Sequence, residues 1–367
     1  MKIRNVLQSL LISALVLGGL GIATAPTKAQ QVHPDPDRTA QIHDPHRRSP
    51  IISHAQRAHA KRPKRSQRKR SRPATNRFTT VNNHIRDLRN AKWEANGTGR
   101  PENVKSISGP KVTFRTLRFI PAHIRDIHFI QSIAVAPNGR SAYLGGDAYP
   151  YLSGYTRIIR VNLNRRSGGI ETGRRFYGGH GQALAYNPKN RQLWLLVDPS
   201  GPLHRGKFDQ ISTSSLKPIR HVNFSLNHAD LGDVLAFDNH GNAYNENRIW
   251  NWNANKRFKP GNILLFKGSI ARHRADLRLI KQGIRKAPGY IIQGIAYNPR
   301  TGRLYIETDD AIMSVPANRL GKLRPRDVRE TILSGHREYE GISFDKKGYA
   351  YIVMARPSEI LKSTRVF

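Results

Sequence analysis

From about residue 108 onward, apolar and polar positions alternate in short runs separated by Pro, Asn, Lys and Gly. Alternation at period two predicts β-strands, and the turn residues between the runs predict hairpins. One phrase organises the pattern. It reads Gln131-Ser-Ile-Ala-Val-Ala-Pro-Asn-Gly, Gln182-Ala-Leu-Ala-Tyr-Asn-Pro-Lys-Asn and Asp233-Val-Leu-Ala-Phe-Asp-Asn-His-Gly. It returns as Gln293-Gly-Ile-Ala-Tyr-Asn-Pro-Arg-Thr-Gly and Glu340-Gly-Ile-Ser-Phe-Asp-Lys-Lys-Gly. Successive copies start 51, 51, 60 and 47 residues apart, the period of propeller blades.

Each phrase supplies a strand and a turn, and a second apolar strand follows, as in Gln192-Leu-Trp-Leu-Leu-Val. Third strands are expected at 157–161, 262–266, 311–315 and 359–362. Outer strands are expected at 112–119, 170–177, 219–224, 277–284 and 328–333. From Glu340 only 28 residues remain, too few for a blade, so the strand at 112–119 is expected to complete the last one. Joining the two ends of the domain in this way removes exposed sheet edges. The expectation is an all-β, five-bladed β-propeller over 108–367. A six-bladed ring with one degenerate blade and a two-sheet sandwich are the alternatives.

The N-terminal pattern differs. Lys2 and Arg4 precede an apolar run from Val6 to Ile22 and then small residues, the layout of a secretory signal over 1–29 with cleavage after Ala29. An uncleaved anchor is the alternative. No second apolar run of spanning length follows, so no membrane span is expected in the mature chain. Residues 30–77 are rich in His, Pro, Arg and Lys with almost no apolar periodicity, and are expected to be disordered. Residues 78–107 read as a linker with a short helix around Asn82–Glu94.

Charge changes the picture. The chain carries 62 Lys and Arg against 25 Asp and Glu, a net +37. Residues 30–77 hold 13 bases and 3 acids, and +24 falls in residues 78–367, so the folded part is basic as well. The densest stretch contains Lys61, Arg62, Lys64, Arg65, Arg68, Lys69, Arg70 and Arg72. Such a field attracts polyanions. There is no cysteine, so an exported chain of this kind must rest on its core alone.

In an antiparallel blade the loop entering the first strand and the loop leaving the second lie on one face. Gln131, Gln182, Asp233, Gln293 and Glu340 therefore share a mouth with Asp147, Asp198, Glu246, Asp309 and Asp310. His128, His180, His228 and His336 stand just ahead of four of the phrases. Such carboxylates and imidazoles could hold calcium or zinc, with His180, Asp233, His336 and Glu340 as the candidate ligands. They could equally bind a polar organic ligand, or bond backbone groups around the channel and lock blade to blade. The longest step contains an insertion with Trp250 and Trp252, which either stack on a ligand or cap the core beneath the loop.

The phrases at Gln293 and Glu340, each running on into its second strand, resemble the repeat of NHL-like and gluconolactonase-like propellers over roughly 110–367. That resemblance implies the fold and, for the gluconolactonase-like enzymes, calcium or zinc held by acidic and amide ligands at the channel mouth. Only Glu340-Gly matches their opening pair; the first phrase has Gln131-Ser instead. The Asn-Asp-Pro and Arg-Asp-Pro phrases of five-bladed glycosidases are absent. The expected function is a secreted, monomeric, non-enzymatic binding protein of a bacterial surface, held by charge to wall teichoic acid or acidic glycan. A metal-dependent lactonase or esterase or a glycan hydrolase at the mouth, and extracellular nucleic-acid binding through the basic segment, are the alternatives.

Overall fold

Side chains along a strand point alternately to its two faces, so a strand covered on both sides contributes to two cores. The computed structural model describes residues 79–82, 104–107 and, apart from short loop segments, 111–367. Three strands precede the first phrase: β1 (Thr79–Asn82), β2 (Val104–Ile107) and β3 (Phe114–Phe119). Blade I is β4 (Ile127–Val135), β5 (Ser141–Ala148), β6 (Tyr155–Asn162) and an outer strand broken into β7 (Ile170–Thr172) and β8 (Phe176–Tyr177). Blade II is β9 (Leu184–Asn187), β10 (Gln192–Gly201), β11 (Arg205–Ile211) and β12 (Pro218–Ser225). Blade III is β13 (Ala236–Phe237), β14 (Asn242–Arg248), β15 (Asn262–Ile270) and two outer pieces, β16 (Ala275–Leu279) and β17 (Gln282–Arg285). Blade IV is β18 (Ile292–Asn298), β19 (Arg303–Thr308), β20 (Ala311–Pro316) and β21 (Arg329–Leu333). Blade V starts with β22 (Tyr339–Phe344), β23 (Ala350–Met354) and β24 (Glu359–Ser363).

The expected closure is present. β3 pairs antiparallel with β24, placing Phe114 opposite Ser363 and Phe119 opposite Glu359. The early strand thereby becomes the outer strand of blade V. Arg118 on β3 donates to the carbonyls of Asn162, Arg165 and Gly168 in the β6–β7 loop of blade I. Buried Glu359 accepts from Arg337 and, at 2.6 Å, from Thr116 on β3.

Five hydrophobic clusters lie between successive blades, and they fix the blade number. On β10, Trp194 and Leu196 enter the cluster shared with blade III, while Leu193, Leu195 and Val197 enter the one shared with blade I. The other clusters join III to IV, IV to V and V back to I. Phe367 is buried in the IV–V cluster, 5.6 Å from the Phe114 ring. Among the described residues the chain is strands and loops with two short 3-10 turns, and no helix is long and apolar enough to cross a membrane.

One local expectation is corrected, and one strand is added to those expected. Part of the 78–107 linker is strand: β2 adds a fifth strand to blade IV by pairing with β21, and β1 pairs parallel with β17 in blade III. The helix around Asn82–Glu94 lies outside the described residues except for Asn82, the last residue of β1. The third strand of blade II is β11, which the apolar pattern did not mark; it is polar apart from Phe208 and Ile211, and its Asp209 is buried against Lys207 and His221. The signal-like stretch and the basic segment 30–77 lie outside the described residues.

Candidate functional site

The phrase residues expected at the mouth reach it by a device the alternation alone does not show. Gln131, Gln293 and Glu340 each sit at a break in strand register, between Ile130 and Ser132, Ile292 and Gly294, and Tyr339 and Gly341. A β-bulge of this kind adds one residue and re-aims its side chain. All three are buried. Gln182 and Asp233 precede β9 and β13, with Gln182 half-buried and Asp233 exposed.

The residue after each of the three bulged positions, Ser132, Gly294 or Gly341, is small where backbones converge. A Cβ on Gly294 would stand 3.0 Å from Gly341 Cα, so blades IV and V meet there almost backbone to backbone. Ser132 Oγ donates to Gly181 O at 2.7 Å, tying blade I to the loop entering blade II. The mouth end of the ring is therefore tight.

It is also bridged. Gln182 Nε2 donates to Gln293 Oε1 at 2.8 Å, and Gln293 Nε2 donates to Asp309 Oδ1 at 3.2 Å. Blades II and IV are not neighbours, since blade III stands between them, so this chain of amides crosses the axis. The bridge is the blade-locking use of these residues for Gln182, Gln293 and Asp309.

Two acids, Glu246 and Glu307, are buried in a way that favours their protonated forms. Glu307, on β19, is buried beside Asp309, and neither of its carboxyl oxygens makes a hydrogen bond of good geometry among the described residues. Burial and the neighbouring Asp309 raise its pKa well above the ordinary value, while the Gly341 amide opposes the shift. Glu246 is pushed up to about 8 by burial, against the pull of Arg248. His180 approaches Asp147 at 4.0 Å, but burial draws the imidazole down to about 4. It is thus neutral near pH 7, and the contact is not an ion pair. The sequence reading missed Glu307; its signal is the one acid in the otherwise apolar run Leu304-Tyr-Ile-Glu.

The expected metal ligands are not gathered in one place among the described residues. Asp233 is exposed, Glu340 is buried in its bulge, His180 faces Asp147, and His336 lies outside the described residues. No group of three or more His, Asp or Glu among the described residues is spaced to hold a metal. Asp198 lies on the backbone of β10 with its side chain outside the described residues, as are Asp310, His228 and the side chain of His128.

The Trp loop is anchored by other residues. Ile249 and Phe258 are buried in the II–III cluster. Trp250 is half-buried and outside that cluster, with the Arg248 guanidinium 4.9 Å from its ring centre. Trp252 lies outside the described residues.

At the opposite end of the axis, the turn ends of the five inner strands surround a cavity of about 60 Å³ lined by Pro137, Pro188, Asn239, Pro299 and Lys346 among others. That is room for about two waters. With the other end bridged, the axis is a blind pit.

No protein-family model matches the chain, and no curated protein matches it. Among solved structures, a glucose dehydrogenase is similar at 13% identity over 76% of this chain and 99% of its own, with a TM-score of 0.38. The soluble aldose sugar dehydrogenase of Escherichia coli shares 10% identity over 69% of this chain and 99% of its own, with a TM-score of 0.38. The Kuenenia stuttgartiensis hydrazine synthase shares 13% over 64% of this chain and 84% of its own, with a TM-score of 0.35. At such values the propeller assignment rests on strand pairing and the five clusters.

Proposed function

We propose that this is a non-enzymatic binding protein of the cell exterior, held by charge to anionic surface polymers such as wall teichoic acid or acidic glycan. The observation that carries the reading is the net charge of +37, spread over both the 61–72 stretch and the propeller. The mouth residues support it from the other side. Gln182, Gln293 and Asp309 are engaged with one another, and Glu246 and Glu307 are held towards their neutral forms.

A mouth enzyme is the second reading, favoured by one observation: Glu307 is a buried acid without a well-formed hydrogen bond, the kind of group that acid–base chemistry uses. Washing intact cells with increasing salt separates the two. Charge-held protein is released before about 1 M salt, where screening falls to a few ångströms. Retention through that wash, or stoichiometric calcium or zinc in untagged protein that is lost with Glu340→Ala, overturns the binding reading.

A further inference from the structure

All five hairpin turns between first and second strands open on the blind-pit end of the propeller. Each carries at least one exposed basic residue: Arg140 in blade I, Lys189 and Arg191 in II, His240 in III, Arg300 in IV, and Lys346 and Lys347 in V. The turns touch one another around the ring. Gly241 packs against the stem of Lys189, Gly348 against the stem of Arg300, and Gly139 against Asp345. The Lys346 amide donates to Pro137 O at 2.9 Å, joining blade V to blade I.

Acids on this face are already used. Asp238 accepts from the His240 and Asn242 amides, Asn242 Nδ2 and the Tyr244 hydroxyl. Asp345 accepts from the Lys347 and Tyr349 amides and the Tyr351 hydroxyl. Some cations elsewhere have carboxylate partners, as in Arg157–Asp126, Arg160–Glu171, Lys207–Asp209 and Arg278–Asp276, while others, such as Lys217 and Lys256, are exposed without one among the described residues. Among the described residues, none of the Arg and Lys side chains of these turns is in an ion pair. The exposed aromatics, Phe119, Tyr149, Tyr155 and Tyr177, all lie off this face.

Resting on the charge-held binding reading, we infer that the turn face is the propeller's polymer-binding surface, and that its ligand is a linear polyanion without aromatic bases. Unpaired Arg and Lys supply point charges and forks for phosphate or carboxylate. The tyrosines at this face, Tyr186, Tyr297 and Tyr349, are half-buried rather than exposed, a poorer stacking platform than single-stranded nucleic acid uses. The Gln182–Gln293 bond crosses the far end of the axis, so the polymer lies across the ring rather than through it.

The test uses the full chain with poly(glycerol phosphate), polygalacturonate and single-stranded DNA of matched charge, titrated at several salt concentrations. One variant combines Arg140→Glu, Lys189→Glu, Arg300→Glu and Lys347→Glu. A control of equal charge change combines Arg174→Glu, Lys256→Glu, Arg257→Glu and Lys259→Glu, all exposed and set towards the opposite end of the blades. The turn variant is expected to lose at least about tenfold in affinity and roughly two to four units of salt slope, the control under about threefold. Gln versions of the same four residues replace the Glu set if charge reversal impairs folding. Equal losses in both variants overturn the assignment of the face and leave the binding reading standing. No binding of either base-free polymer by the parent overturns that reading itself. DNA bound as tightly, through the same four residues, overturns the base-free class, and the stronger of the other two polymers tells phosphate from carboxylate.

Discussion

Glu246 and His180 titrate in opposite directions, and each leaves a mark on stability. Glu246 is raised from 4.5 to about 8, so its contribution is complete below the unfolded value and is lost as pH rises through 8. His180 is lowered from 6.5 to about 4, so its contribution is present above 6.5 and is lost as pH falls towards 4. Between these limits the two slopes offset. Above pH 6.5 only the carboxyl slope remains, and Glu307 adds to it with the same sign. Thermal unfolding of the parent is expected to fall between pH 6.5 and just above 8 by a free energy on the order of a few kcal/mol. Glu246→Gln keeps the shape and removes the proton, so its profile over that window is expected to be flatter. An unchanged slope would show that Glu246 is ionised in the fold.

At the scale of elements, the insertion after β14 shows how side chains divide the work of holding a loop. Phe258→Ala removes a fully buried ring from the II–III cluster and is expected to cost about 3–5 kcal/mol in denaturant unfolding. Trp250→Ala removes a half-buried ring covered by Arg248 and is expected to cost well under half of that. A reversed order would place Trp250 as the anchor. Composition marked the loop but could not rank its aromatics, because Trp250, Trp252 and Phe258 look alike until one is seen in a core. The five inner hairpins and the closing role of β3 were legible, since both follow from the spacing of apolar runs. β11 was not, because its burial rests on Phe208, Ile211 and a paired Asp209. The bulges at Gln131, Gln293 and Glu340 were hidden for another reason: one extra residue in a strand leaves no compositional trace. The Gln182–Gln293 bond joins blades that are not neighbours, and no local pattern reports a contact across the ring.

For the whole molecule, the two ends of the axis have opposite characters, carboxyls and amides buried at one and unpaired cations exposed at the other. The ring that separates them is completed by a strand lying far from its partner in the chain. Thr116 and Glu359, which meet in blade V, are 243 positions apart. Seen in time rather than in space, this makes completion a late event. β3 is synthesised before every blade, yet its pairing edge stays unmatched until the last turns of chain have arrived. Closing so long a loop carries its entropy cost before any contact offsets it, which slows folding. A rearranged chain in which residues 111–120 follow Phe367 through a short linker is expected to refold faster in stopped-flow measurements, with an unfolding rate close to the parent's. Equal refolding rates would mean that the final joining of the ring is not what the chain waits for.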